Sequence, residues 1–137
     1  MSRDYRKLRV FGIADALVTD IYRISSAFPP EERFGLQVQI RRAAVSSAVN
    51  IVEGSARRTT GEYVNLLSNA AGSAAETRYL LEISTRLRFL ADIHTAPLIE
   101  RYTALCAGLE SLMQSYAPEN DEGWKNRCKR RNRECAD

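Results

Sequence analysis

Eight cations carry the plainest chemistry in this chain. Arg3, Arg6, Lys7 and Arg9 open it, Arg41 and Arg42 are adjacent, and so are Arg57 and Arg58. Arginine dominates the set, and its planar fork places two parallel hydrogen bonds on a phosphate or carboxylate, so these residues suit an acidic partner such as RNA or DNA. Each neutralised phosphate would release counterions and make binding fall with salt. Two other uses compete. Arg41 and Arg42 can pair with Glu53, Glu62 or Glu76 on neighbouring helices, and basic residues can simply solvate a surface.

Reaction chemistry has far less to draw on. Ser73 follows Gly72 but lacks the flanking pattern of a nucleophile elbow, and no histidine is placed to activate it. The single histidine, His94, has Asp92 two residues away, which reads as an exposed connection rather than an oriented base. Asn50, Glu53 and Glu76 fall on otherwise apolar helices, but a two-metal carboxylate site wants Glu-x-x-His motifs and the chain has none, so a network fixing helix register is the better use. Cys106, Cys128 and Cys135 are odd in number, and zinc would need a fourth ligand near them. No catalytic residue, metal or cofactor is expected. The aromatics Tyr5, Phe11, Tyr22, Phe28 and Phe34 lie among the basic residues and loosely resemble a base-stacking surface, but at helical spacing they read first as core.

A chain of 137 residues suits one domain with a self-sufficient core. Hydrophobic residues make up 45% and charged residues 27%, an ordinary globular balance, and no apolar run approaches the ~20 residues of a membrane span. No signal-peptide pattern follows the charged start, since Asp15 and Asp20 interrupt the next segment, and the expected location is the cytoplasm, with thiols reduced. The net charge of +3 is uneven: residues 1–58 carry +4, 59–116 carry −2 and 117–137 carry +1.

Positioning these residues falls to four helices. The first is expected from about Val10 to Ala27, with Ile13, Leu17, Ile21 and Ile24 inward, stopped by Phe28 and the Pro29-Pro30 pair. The second follows almost at once and ends near Gly54 as a C-cap. Its inner stripe is Leu36, Ile40, Ala43, Ala44, Ser47 and Ile51. A second stripe, Val38, Val45, Val49 and Val52, cannot be covered by the same antiparallel neighbour, which predicts a subunit contact there. The third helix starts after Thr59 or Thr60, with Glu62 in its first turn, and runs to about Leu90 on Tyr63, Leu66, Leu67, Ala70, Ala74, Leu81 and Leu87. Its small-residue centre, 70–75, predicts close approach of another helix that offsets the propensity lost at Gly72. The fourth is expected from Pro97 to Tyr116 on Leu98, Tyr102, Leu105, Leu109 and Leu112. No alternating segment suggests a strand. The expected fold is all-α, an antiparallel up-and-down four-helix bundle over residues 1–117. Residues 118–137 are then a charged, loosely attached tail whose one large apolar side chain is Trp124.

The segment QIRRAAVSSAVNIVEG (39–54), followed by LLSNAAGSAAETRYLL (66–81) and preceded by FPPEERFGL (28–36), resembles the four-helix-bundle family encoded by intervening sequences of bacterial 23S ribosomal RNA genes, the S23 family. The resemblance covers roughly residues 5–116. Where the family commonly has Ile-Pro this chain has Ser47-Ala48, so a proline kink in the second helix is not expected, and Thr77 and Arg78 replace the usual Leu and Glu. The family is similar to the accessory protein of diversity-generating retroelements. That implies a ring of five bundles, a homopentamer, with nucleic acid and a reverse transcriptase as partners, and it implies no enzymatic activity. A closed ring would cover the valine stripe through a head-to-tail contact and repeat the basic residues five times. The alternative is a scaffold that binds protein and has no nucleic-acid role.

Overall fold

The computed structural model describes residues 3–117, and the expected tail, with Trp124, Cys128 and Cys135, lies outside the described residues. Four helices follow one another: α1 (Arg9–Ser25), α2 (Leu36–Ser55), α3 (Thr60–Arg86) and α4 (Asp92–Gln114), with single 3-10 turns at Tyr5–Lys7 and Pro30–Glu32. No strand occurs among the described residues. Each helix packs against its neighbours in sequence and α1 closes onto α4, so the four stand in square order, antiparallel by turns. No helix among the described residues is long and apolar enough to cross a membrane.

Local chemistry sets the helix starts. Thr59 caps α3, its hydroxyl accepting from the Glu62 N–H at 3.2 Å. At α2 the capping position is Gly35, which has no side chain, and the Glu32 carboxylate substitutes by accepting from the Leu36 N–H at 3.0 Å. The proline pair therefore builds a 3-10 turn that delivers a carboxylate to α2, rather than starting α2 itself. Helix α4 begins five residues before Pro97, which stands inside it. Pro97 withdraws one donor, from the Ile93 carbonyl, and the exposure of Ile93 leaves water to replace it. His94 thus belongs to the first turn of α4 and is exposed, not part of a connection. Helix α3 stops at Arg86, short of Leu90, because Arg88 turns left-handed at φ 62°. The Phe89 N–H then reaches the Ser84 carbonyl at 2.9 Å and the Arg88 N–H the Thr85 carbonyl at 3.0 Å, the pairing of a Schellman end.

Most of the expected stripes are core, with Leu17, Ile21, Ile40, Ala44, Ser47, Ile51, Tyr63, Leu67, Ala70, Ala74, Leu81, Tyr102, Leu105 and Leu109 fully enclosed, whereas Leu87, expected on the third helix's stripe, lies past its end and is exposed. Two glycines behave differently from expectation. Gly54 is not a cap but a buried residue inside α2, where a Cβ would stand 3.1 Å from the Tyr63 ring and 3.2 Å from Leu66 Cβ. It lets α2 and α3 approach closely there. Gly72 has open space instead, so tight packing within the subunit offsets nothing there. The alanines beside it, Ala70, Ala71 and Ala74, are the buried part of that segment. Across the α2–α3 seam, Ser73 and Ser46 share a hydrogen bond at 2.8 Å, and the Asn50 amide donates to the Ser46 carbonyl at 2.8 Å and its hydroxyl at 3.1 Å. The register network expected of Asn50, Glu53 and Glu76 is therefore replaced by a Ser46–Ser73 bond that Asn50 supports from within α2, while Glu53 and Glu76 are exposed.

Arg41 ties α1 to α2. Its Nε donates to Ser25 Oγ at 2.7 Å and its Nη2 to the Tyr22 carbonyl at 3.2 Å, while the guanidinium stacks over the Tyr22 ring at 4.7 Å. A cation here satisfies carbonyls at the C-terminal end of α1, where the helix dipole is negative. Arg41 was expected to pair with a carboxylate on α2 or α3, and the end of α1 takes it instead. We predict that Arg41→Ala lowers unfolding free energy by about 1.5–3 kcal/mol, the range for a hydrogen bond to a charged group, and that Arg41→Lys recovers only part of it. Urea titration checks this, and a change below about 0.5 kcal/mol would remove the role.

Tyr102 is fully enclosed and its hydroxyl has no hydrogen-bond partner. Thr77 lies beside it, its own proton given to the Ser73 carbonyl at 2.8 Å, and its oxygen, though able to accept, makes no hydrogen bond with Tyr102. Burial pushes the Tyr102 hydroxyl well above the ordinary value of 10.0. The folded state then holds this proton more tightly than the unfolded state, so the linked stability is complete below pH 10.0 and is lost as pH rises beyond it. Tyr102→Phe is expected to match or exceed the parent at neutral pH and to flatten the alkaline decline. Denaturant unfolding at neutral and alkaline pH measures both, and a less stable Phe variant would show that the hydroxyl has a partner.

Candidate oligomer and nucleic-acid interfaces

The eight cations separate into two groups. At one end of the bundle the N-terminal segment crosses the α2–α3 connector, its Arg3 N–H donating to the Ser55 carbonyl at 3.3 Å. The Arg3 guanidinium donates to the Arg57 carbonyl at 3.3 Å and lies 4.3 Å above the Tyr63 ring, with Tyr116, which meets Tyr63 edge-on, at 6.0 Å. Burial, then the neighbouring Tyr116, raises the Tyr63 hydroxyl above its ordinary value, and Arg3 opposes them. Arg3 is therefore a staple closing the end of the bundle. Around it Arg6, Lys7, Arg9, Arg57 and Arg58 are exposed, and none makes an ion pair among the described residues. Arg6 leans over Tyr5 at 5.4 Å, and Tyr5 meets Phe11 edge-on at 4.8 Å.

Arg41 and Arg42 stand elsewhere. At 1.5 Å per residue, Arg41 lies about 24 Å along the axis from Arg57, so one patch cannot include both. Arg41 is committed to α1, and Arg42 is exposed on the outer side of α2 without an ion pair among the described residues.

That outer side carries the second candidate. Val38, Val45 and Val49, with Tyr22 from α1 and Phe34 from the turn before α2, line a groove of about 770 Å³. Arg33 and Arg42 flank it, and Glu53 stands at the far end. Phe34 is 87% exposed and Val49 42%, while Val38 and Val45 are half-buried, so the valine stripe is neither open to solvent along its length nor covered within one chain. Val52, expected in the same stripe, is half-buried and off the groove. Phe34 is the strongest element of the patch and its place escapes sequence reading, because it lies outside any helix and adjoins no periodic stripe. Its signal is local: an aromatic between Arg33 and Gly35, in a turn with no core-facing side. Phe28, by contrast, is buried and meets Phe89 edge-on at 6.0 Å. Among the described residues no group of three or more metal-ligating side chains comes together.

Comparisons with known proteins agree on the fold. The profile of the 23S rRNA-intervening sequence protein family matches residues 6–111. The crystal structure of a protein of unknown function from the S23 ribosomal protein family of Bacteroides thetaiotaomicron VPI-5482 superposes with a TM-score of 0.71 at 22% identity, over 76% of this chain and 97% of that one. No curated protein matches. With its described helices almost wholly inside the matched span, the chain belongs to the 23S rRNA-intervening sequence protein family.

Proposed function

We propose that this protein is a non-enzymatic, self-assembling four-helix bundle, a ring of five, that acts as an interaction module and presents its basic end to nucleic acid. The observation that carries the reading is the groove along α2, where Tyr22, Phe34 and Val49 leave apolar surface exposed in one contiguous patch. Exposed apolar side chains gathered together and rimmed by arginines make a surface suited to a partner. A second copy is the partner always present at matching concentration, and the family's similarity to the accessory protein of diversity-generating retroelements favours five subunits. Ser73, weighed above as a nucleophile, shares a hydrogen bond with Ser46.

Five exposed cations at one end of a subunit are a weak site alone. Repeated around a ring on one face, they build a focused positive field and allow several contacts at once. A reverse transcriptase, as the similarity to retroelement accessory proteins implies, would act on nucleic acid held at that face.

Light scattering of the full chain is expected to give five times the 15.4 kDa subunit mass, and a monomer at micromolar concentration would contradict assembly. In a shift assay, single-stranded RNA or DNA should bind with an affinity falling steeply as salt rises. Arg57→Glu with Arg58→Glu should weaken it at least tenfold, and loss of two phosphate contacts should lower the log–log salt slope by about 1.4. Binding indifferent to salt, or unaffected by the reversal, would favour a scaffold whose partner is a protein.

A further inference from the structure

The chain leaves the bundle at its basic end. Tyr116, in the turn after α4, lies edge-on to Tyr63 at 5.4 Å and 6.0 Å from the Arg3 guanidinium, and the Ala117 N–H still donates to the Gln114 carbonyl at 3.1 Å. Arg3 in turn holds the Ser55 and Arg57 carbonyls, so the N-terminal segment and the α2–α3 connector both run past the place where residue 118 departs. These two segments carry Arg6, Lys7, Arg9, Arg57 and Arg58, all exposed and without an ion pair among the described residues. With Arg3 they outnumber the nearby carboxylates Asp4, Glu53 and Glu62 by three, and Asp4 is already used in capping the Arg6 N–H at 3.1 Å.

The residues that follow are sorted by charge. Glu119, Asp121 and Glu122 come first, and no cation falls between Ala117 and Lys125. Six cations then lie between Lys125 and Arg133. A chain advances at most about 3.6 Å per residue, which keeps Glu119 within about 7 Å of Ala117 and Glu122 within about 18 Å. Three carboxylates are thereby tethered beside a positive excess of the same size, at the effective concentration that a short linker imposes. The later cations are farther from Glu119 along the chain than Ala117 is, and the basic end repels them.

We propose that residues 119–122 lie over the basic end of their own chain and must be displaced before nucleic acid binds there, as an internal competitor. The displacement rests on the nucleic-acid reading above and the cover does not, so two measurements separate them. Lys7 is the one lysine of the basic end, and Lys125 and Lys129 are the only others in the chain. Carbodiimide treatment of dilute full-length protein, followed by peptide mass spectrometry, should join Lys7 to Glu119, Asp121 or Glu122 within chains of single mass, and added oligothymidine should suppress the link. Links to Lys125 or Lys129 alone, or a Lys7 link confined to chains of doubled mass, would overturn the cover. In a shift assay at low salt, the triple variant Glu119→Gln, Asp121→Asn and Glu122→Gln should bind oligothymidine roughly three- to tenfold more tightly than wild type, as release of exposed ion pairs allows, and the gain should fade at high salt. Glu134→Gln with Asp137→Asn shifts net charge without touching the segment, and an equal gain from that variant would overturn the competition. Oligothymidine that binds no variant would remove the displacement together with the nucleic-acid reading, while the Lys7 link would still establish the cover.

Discussion

Helix α2 carries more apolar surface than its own bundle covers. Its inner stripe, Ile40, Ala44, Ser47 and Ile51, is enclosed by the other helices, and its seam with α3 is close enough that a Cβ at Gly54 would press on Tyr63 and Leu66. Arg41 fixes its other side to the end of α1. These two attachments settle how α2 is rotated, and that rotation carries Val38, Val45 and Val49 outward beside Tyr22 and Phe34. The exposed groove is a consequence of how the core packs, not an incidental feature of the surface.

The same constraint sorts the arginines. A guanidinium on α2 that faces α1 meets the free carbonyls of a helix end and is used there, as Arg41 is. One position later the side chain points out and has no such partner, as Arg42 shows. Adjacent residues of one type therefore carry different roles, and only the outward one is free to meet another molecule. At the far end Arg3 is spent on two tyrosine rings and a backbone carbonyl, which leaves Arg6, Lys7, Arg9, Arg57 and Arg58 as the accessible cations.

Much of this was legible in the residues. Helical period fixed the four elements and their inner stripes, and the doubly apolar character of α2 announced surplus surface before any coordinates. What the residues withheld is what depends on neighbours distant in sequence. Nothing local says that Arg41 will find Ser25, or that Gly54 will face Tyr63 rather than cap a helix. Pro97 reads as a start, yet α4 begins five residues sooner, with the residue whose carbonyl loses its donor, Ile93, exposed one turn earlier. Arg88 ends α3 in a conformation that sequence assigns to glycine. Phe34 reads as core because aromatics usually are, and only the turn that holds it shows that it faces outward.

The central claim is that a sister subunit hides the outer valines of α2. Methyl NMR of valine-labelled full-length protein with a soluble paramagnetic agent examines those side chains directly. The account predicts that the Val38, Val45 and Val49 signals stay as sharp as that of the core-packed Val10. Broadening of the Val49 methyls to the extent seen for a freely exposed side chain would contradict it.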